Sequence, residues 1–459
     1  MKQSIRMRLA MLTGVLVSIV SLAAQQVQSP GDKPEPKTES KDGSLGRKES
    51  VPAVHPKPLT SSVKKGLAYL VSQQNENGGW GQGGGWRIGA KGDRIEGPEV
   101  KDPPDLADTC IATLALLRAG NSPKHGIHAK SVAKAIDFIS KFVEKSDKDS
   151  LYVTDLRTTQ LQSKLGPYVD TFLAAWVLAE TKGMLADEKS DKQLITALNK
   201  IVAKMERHQR EDGTWSHEGG WAPILCQALA CKGLNRSKQV GVKVTDTTLA
   251  RAEKYAAANY DRERGGFAAP GLGGEGLGGG GLGLGGLGGG GLGLGGGGGV
   301  PLYLQGGQLG GLQESINTNK QLKDSVSQVA KSKTAAKEEK AKAQDQLRRF
   351  EESEKVQEEA AKSILKQLNN EEFIKGFGSN GGEEFLSYMN ISDTLLAKGG
   401  DDWQKWDKQA SENLVRIQNK DGSWAGDHCI TGRTFCTASA LLVIMADRAP
   451  APLAAKIKK

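Results

Sequence analysis

The sequence predicts an all-α protein built from repeated helical hairpins, and three observations carry that reading. A turn recurs as Gln74-Asn75-Glu76-Asn77-Gly78-Gly79-Trp80, as Gln209-Arg210-Glu211-Asp212-Gly213-Thr214-Trp215 and as Gln418-Asn419-Lys420-Asp421-Gly422-Ser423-Trp424. Each copy follows an amphipathic stretch of helical period and precedes an apolar one, so the unit is helix, turn, helix. A degenerate copy, Asp261 to Phe267, keeps Gly265 and places an aromatic where the others have Trp. Repeats of this kind bury their apolar faces only by stacking on one another.

The turn has a stereochemical logic. Glycine takes the positive φ that ends a helix, and a preceding Asp or Asn favours the same bend. The Trp brings a large apolar face with one N–H, and the Gln can reach backbone groups or stack on a neighbouring Trp. The structural set is therefore Gln74, Gly78 and Trp80; Gln209, Gly213 and Trp215; Gln418, Gly422 and Trp424. These turns resemble the QW motifs of the squalene–hopene cyclase and protein prenyltransferase superfamily. That resemblance covers roughly residues 60–265 and 380–450 and implies an α/α toroid.

Along the chain, residues 1–24 read as a secretory signal. Lys2, Arg6 and Arg8 precede an apolar run from Leu9 to Ala24, with Ser21-Leu22-Ala23 as a small-x-small cleavage site. Without a twin Arg or a nearby Cys, the expectation is export to the periplasm or outside the cell, the alternative being an uncleaved anchor in the inner membrane. Residues 25–59, rich in Pro, Lys, Glu and Ser, read as a disordered linker. The net charge of +9 is carried partly by the leader, and the remaining basic residues are scattered among acids. A nucleic-acid partner is not expected, because it would require a clustered basic face.

The first part of the toroid is expected over 60–264. Val63, Leu67, Leu70 and Val71 mark one helical face before the first turn. A Gly-rich loop from Gly81 to Pro104 then leads to an inner helix from Asp108 to Leu117, apolar nearly all round. The second pair is Ala133–Val143 with Asp170–Leu178, and the third is Leu194–His208 with Ala222–Cys231. A fourth outer helix, Leu249–Tyr260, is capped by Thr245 or Asp246.

From Gly265 to Gly311 the rhythm breaks into Gly and Leu, with Glu275 the only charge between Gly271 and Gly299. Such a segment is expected to build no packed core by itself. A P-loop is excluded, since no Gly-Lys-Ser/Thr ending follows the glycines. Residues 312–378 follow as a charged arm. A heptad phase through Leu322, Val326, Val329, Ala336, Ala343, Leu347, Phe350, Ala361, Ile364 and Leu368 reads as a coiled coil, a helix folded back on itself, or a solvated single helix. The toroid then resumes over 379–449, before a tail at 450–459. Phe385–Ala397 serves as the fourth inner helix, because Asp393-Thr394 echoes Asp108-Thr109 and Asp170-Thr171. Trp403–Gln418 and Thr434–Met445 make a fifth pair, so about five hairpins are counted and residues 268–378 are expected to be dispensable for folding.

For chemistry, prenyltransferases of the resembled superfamily hold zinc with Asp-x-Cys and a later His. Asp427-His428-Cys429 matches the first part, but no His follows, and only an out-of-order donor such as His217 could complete a tetrahedral site. The acidic D-x-D-D cluster of hopene-type cyclases is missing, for Gly399-Gly400 precede the adjacent pair Asp401-Asp402. Aromatics, at 5%, are sparse for a carbocation cavity. The Cys-x-Glu-Gln of thioester domains is absent as well. Asp108, Asp170 and Asp393 are the candidate catalytic acids if they meet at the toroid mouth, as the paired acids of a carbohydrate-active enzyme do, though each reads first as an N-cap. Trp176, Trp221 and Phe435 are the mouth aromatics that could hold a lipid or glycan. Cys429 and Cys436 could form a disulfide, whereas Cys110, Cys226 and Cys231 read as small packed groups. No cofactor is expected. The reading leans away from an enzyme and towards an exported binding or scaffolding module, with a protein partner or a second copy engaged through the arm at 312–375. The alternative is a diverged terpenoid cyclase or prenyltransferase, or a carbohydrate-active enzyme working in the toroid centre.

Overall fold

The computed structural model describes residues 54–89, 91–96, 102–185, 187–215, 220–258, 260–268, 300–376 and 380–449. All lie in one compact unit, residues 44–459. The expected signal, most of the expected linker, His217, residues 269–299 of the Gly/Leu-rich stretch and the C-terminal tail lie outside the described residues.

Two kinds of helix alternate, as the apolar patterning requires. The pairs begin with α1 (Ser61–Ser72) and α2 (Leu106–Arg118). Next, α3 (Ala129–Lys145) leads through the short α4 (Gln160–Lys164) to α5 (Val169–Thr181). α6 (Glu188–His208) pairs with α7 (Pro223–Gln239), and α8 (Asp246–Ala258) with α9 (Pro301–Lys331). α10 (Lys337–Gln367) leads through α11 (Glu371–Lys375) to α12 (Gly382–Lys398). α13 (Gly400–Arg416) pairs with α14 (Arg433–Ile444). The first member of each pair buries a single stripe and wets the rest, as amphipathic outer helices do. The second is buried almost all round, α9 over its residues 302–319.

The inner helices pack in the order α2, α5, α7, α9, α12, α14 and back onto α2, and the outer helices fill the grooves behind them. The protein is an all-α toroid. It closes with six pairs where the sequence counted five. Phe385–Ala397 lies in α12, the fifth inner helix; the fourth is α9, which starts inside the Gly/Leu-rich stretch.

The glycines explain how. Gly306 and Gly310 face α12, where a Cβ at Gly310 would lie 2.5 Å from the Asn390 side chain and one at Gly306 3.1 Å from the Ser387 backbone. Gly307 and Gly311 face α7, and a Cβ on Gly307 would sit 3.0 Å from the Ile224 carbonyl oxygen. Each glycine costs a helix about 1 kcal/mol against alanine. Here that loss is offset by backbone-to-backbone packing on two flanks at once. Pro301 at the first turn supplies the start.

The charged segment is likewise part of the ring. α10 folds back along α9 and also packs on α8, burying Phe350, Val356, Ala360 and Ile364. Of the readings open to residues 312–375, the folded-back helix describes their shape. Removing 268–378 would therefore take out one inner and one outer helix, so the segment is not dispensable. Only the distal end departs from the ring. Beyond Asn319 no residue of α9 is buried, and before Phe350 only Ala343 of α10 is.

Candidate functional site

The three Gln-to-Trp turns share one geometry. Gly78, Gly213 and Gly422 have φ of +92°, +89° and +90°. The Trp80, Trp215 and Trp424 indoles donate to the carbonyls of Leu70, Met205 and Leu414 at 2.6, 2.7 and 2.8 Å, capping the outgoing outer helix. Each Gln amide reaches forward to the first turn of the next outer helix: Gln74 to the Ser131 carbonyl at 2.9 Å, Gln209 to Thr248 at 3.0 Å, Gln418 to Ser62 at 3.0 Å. The last of these joins the sixth pair to the first. The degenerate copy also touches the next outer helix, but near its far end, where the Gly265 carbonyl accepts from the Ser363 hydroxyl of α10.

The turns bring the first turns of the inner helices together at one end of the ring, and acids gather there. Asp105, the N-cap of α2, accepts from the Asp108 backbone N–H at 2.9 Å. Asp108 is thus inside the first turn rather than a cap, and its carboxyl lies against that of Asp105. Asp170, in the first turn of α5, accepts from the Gln162 amide at 2.8 Å. On α12, Glu383 accepts from the Ile430 N–H at 3.0 Å, while Glu384 takes the Tyr303 hydroxyl.

All five acids are buried, and burial raises Asp105, Asp108, Asp170 and Glu383. Asp170 is pushed up to about 6 against the bond from Gln162. Asp105 is pushed up to about 7, and Glu383 to about 7 with the Glu384 charge adding to burial. Asp108 is driven well above the usual carboxylate range by burial and then by Asp105. This end of the ring therefore holds carboxyls whose neutral forms are favoured by burial, in an apolar setting that includes Cys110 and Cys226.

A roof of hydrogen-bonded loops lies over them. Gln160 of α4 donates to the Trp86 carbonyl at 2.8 Å and accepts from the backbone N–H groups of Thr431 and Gly432, both at 3.0 Å. The Trp86 indole donates to the Cys429 carbonyl at 2.8 Å, and Thr434 donates to the carbonyl of Gly81 at 2.7 Å. Asp102 fastens the Gly-rich loop by accepting from the N–H groups of Gln82 and Gly83 at 2.9 and 2.7 Å and pairing with Arg87 at 2.8 Å.

Asp393 is not part of this cluster. It lies in the C-terminal half of α12, where it belongs to a buried ionic belt across the ring. Lys232 of α7 pairs with Asp393 and, at 3.1 Å, with Glu314 of α9; Arg236 grips Glu314 through two bonds of 3.0 Å. Burial opposes ionisation at both acids. At Glu314 the Arg236 and Lys232 charges outweigh it, and at Asp393 the Lys232 and Arg118 charges do, so both carboxyls stay below their usual range. Trp176 lies under the Lys232 ammonium at 4.7 Å and donates to Glu180.

Sequence reasoning missed Lys232, Arg236 and Glu314. The signal was present, for Lys232 and Arg236 stand four residues apart on a helix otherwise apolar enough to be inner. Of the mouth aromatics, Trp176 and Phe435 are core residues and Trp221 is 44% exposed, so the three do not form one surface. All five cysteines are free, so the Cys429–Cys436 bridge that the sequence left open is not formed. The Cys436 thiol is turned to the Ile430 carbonyl at 3.3 Å, whereas the Cys429 sulfur lies 3.1 Å from His428 Nδ1. Among the described residues, no three His, Cys, Asp or Glu side chains are placed to hold a metal ion, Asp427 and Cys429 included.

No family profile matches the sequence, and no curated protein matches it. Among solved structures, a variant of a type II terpene cyclase from Scytonema, in complex with its substrate geranylgeranyl dihydroxybenzoate, is similar over 85% of this chain and 98% of its own, with 12% identity and a TM-score of 0.44.

Proposed function

We propose that the chain is an exported binding or scaffolding module in which the toroid is a rigid platform and the distal end of the α9–α10 hairpin is the contact element. The observation that carries this is the length of those two helices. Each has 31 residues, whereas the other inner helices have 12 to 17. At 1.5 Å per residue, the unburied 320–331 segment of α9 extends about 18 Å past the ring. The interior supports the same reading. Apart from Asp108, the acids named above cap helices, fasten loops or pair across the ring, and the inner helices are buried on the faces they turn to one another.

A second reading is favoured by Asp108. A buried carboxyl driven towards its neutral form beside Asp105, beneath the Gln160 roof, is the equipment of a general acid acting on an apolar substrate such as a polyprenoid. The two readings separate in one experiment. Purified protein incubated with squalene and with a geranylgeranyl-bearing acceptor should return both unchanged by mass spectrometry. Product formed by the wild type and lost in Asp108→Asn would replace the binding-module reading with the enzyme one.

A further inference from the structure

The hairpin tip has a charge and an apex that name its partner. Between residues 320 and 349 there are nine Lys or Arg against four Asp or Glu. Four of those basic residues are already spoken for: Lys323 by Glu354, Lys342 by Glu338, Arg348 by Asp345 and Arg349 by Glu253. Lys331, Lys333 and Lys337 are exposed and in no ion pair among the described residues. They surround the bend Ser332-Lys333-Thr334-Ala335-Ala336, in which Ala336 is exposed, and Val329, 41% exposed, lies in the last turn of α9 beside it.

We infer that this apex docks end-on against a bilayer surface carrying anionic headgroups. The assignment rests on the reading of the hairpin as a contact element and gives that element its partner. Three free ammonium groups within one bend form a polybasic cluster, which anionic headgroups attract without needing a shaped site. The small side chains between them, Ser332, Thr334, Ala335 and Ala336, let the bend approach the headgroup layer closely while the lysine stems lie along it and keep their charges in water. A nucleic acid fits less well. The bend carries no aromatic side chain to stack on a base, the two arginines of the tip are engaged in ion pairs, and a blunt end offers no stripe to follow a groove.

Flotation of the full chain with vesicles tests this. Binding is expected to equimolar phosphatidylcholine–phosphatidylglycerol vesicles, weakening with salt, and not to phosphatidylcholine alone. Neutralising one lysine should lower the partition coefficient about 5-fold, and Lys331→Gln, Lys333→Gln and Lys337→Gln together about 100-fold. Those side chains touch nothing in the ring, so the triple variant should melt with the wild type by circular dichroism. Equal binding to both vesicles, or a triple variant that still floats, overturns the assignment. Lysine-dependent binding to a fluorescent oligonucleotide tighter than to vesicles overturns it as well. An oligomer by light scattering that requires the tip, with no flotation, overturns it while leaving the hairpin a contact element. Prenoid turnover is the separate result that removes the module reading.

Discussion

Trp424 closes the ring, and its removal should show what closure contributes. The side chain is fully buried. It belongs to the turn between α13 and α14, yet it packs on α1, where a Cβ on Gly66 would lie 2.9 Å from the indole. Its N–H caps the Leu414 carbonyl at 2.8 Å, and its backbone N–H donates to Thr437 at 2.9 Å. Trp424→Ala forfeits the buried face, about 3–5 kcal/mol for an aromatic truncated in a core. It also leaves the Leu414 carbonyl without its donor, about 1 kcal/mol more. Trp424→Phe keeps most of the face and should cost only about 1–2 kcal/mol.

Urea denaturation followed by far-UV circular dichroism reads the difference. With a slope of about 3 kcal/mol per M, a loss of about 4–6 kcal/mol moves the midpoint down by about 1.3–2 M. Trp215 makes the same bond inside the chain, to Met205 at 2.7 Å, with an edge contact to Phe172 at 5.5 Å. Trp215→Ala should therefore fall by a similar amount. A midpoint unmoved by Trp424→Ala beside a large shift for Trp215→Ala would show that the first and last pairs do not close on each other in solution, and the closed-ring argument would be wrong.

Two further perturbations address the buried charges. Burial pushes Asp170 up to about 6 from the 3.8 of a free aspartate, so the folded state holds the proton more tightly. Its contribution is fully present below the unfolded pKa and is lost as pH rises through about 6, a swing of roughly 3 kcal/mol. Asp170→Asn should flatten the fall in Tm between about pH 4 and 6 while keeping an oxygen for Gln162, and an unchanged slope would refute the assignment. In the ionic belt, Asp393→Asn leaves Lys232 sharing only Glu314 and should cost about 3–5 kcal/mol, as should Lys232→Met. The double variant should cost clearly less than the sum by chemical denaturation, and strict additivity would show that the two do not act as a pair.

The turns were legible because their signal is local. A glycine forced to positive φ, a Trp that must be buried and a Gln that must be bonded leave a pattern in seven consecutive residues. The acids were half legible. Asp108 and Asp170 do stand in the first turns of neighbouring inner helices, but the residue that caps is Asp105, three positions earlier. The echo Asp393-Thr394 misled, because an Asp-Thr pair inside a helix reads the same as one at its start. Thr394 bonds back to the Asn390 carbonyl at 3.1 Å in the middle of α12. The residue that plays the part of Thr109, accepting the backbone N–H of a turn Trp, is Thr437. The belt was invisible for a different reason. Its charges come from three helices, with Lys232 paired to Glu314 and Asp393 far along the chain, and no local pattern records such a meeting.

The glycine-rich stretch was the hardest to place, and it shows how composition can hide a helix. Hydrophobic periodicity detects a helix by what its apolar face buries, and a glycine face buries almost nothing of its own. What α9 offers on two sides is room. Gly306 and Gly310, four apart, make one flank, and Gly307 and Gly311 the other, so α12 and α7 approach its backbone closely. The remaining face does carry a helical trace, in Leu302, Leu309, Leu312 and Ile316, all buried. A low-complexity reading treats each glycine as lost order. Read at four-residue spacing, beginning after a proline and ending before Glu314 and its two cationic partners, the same glycines specify the inner helix that makes the fourth side of the ring.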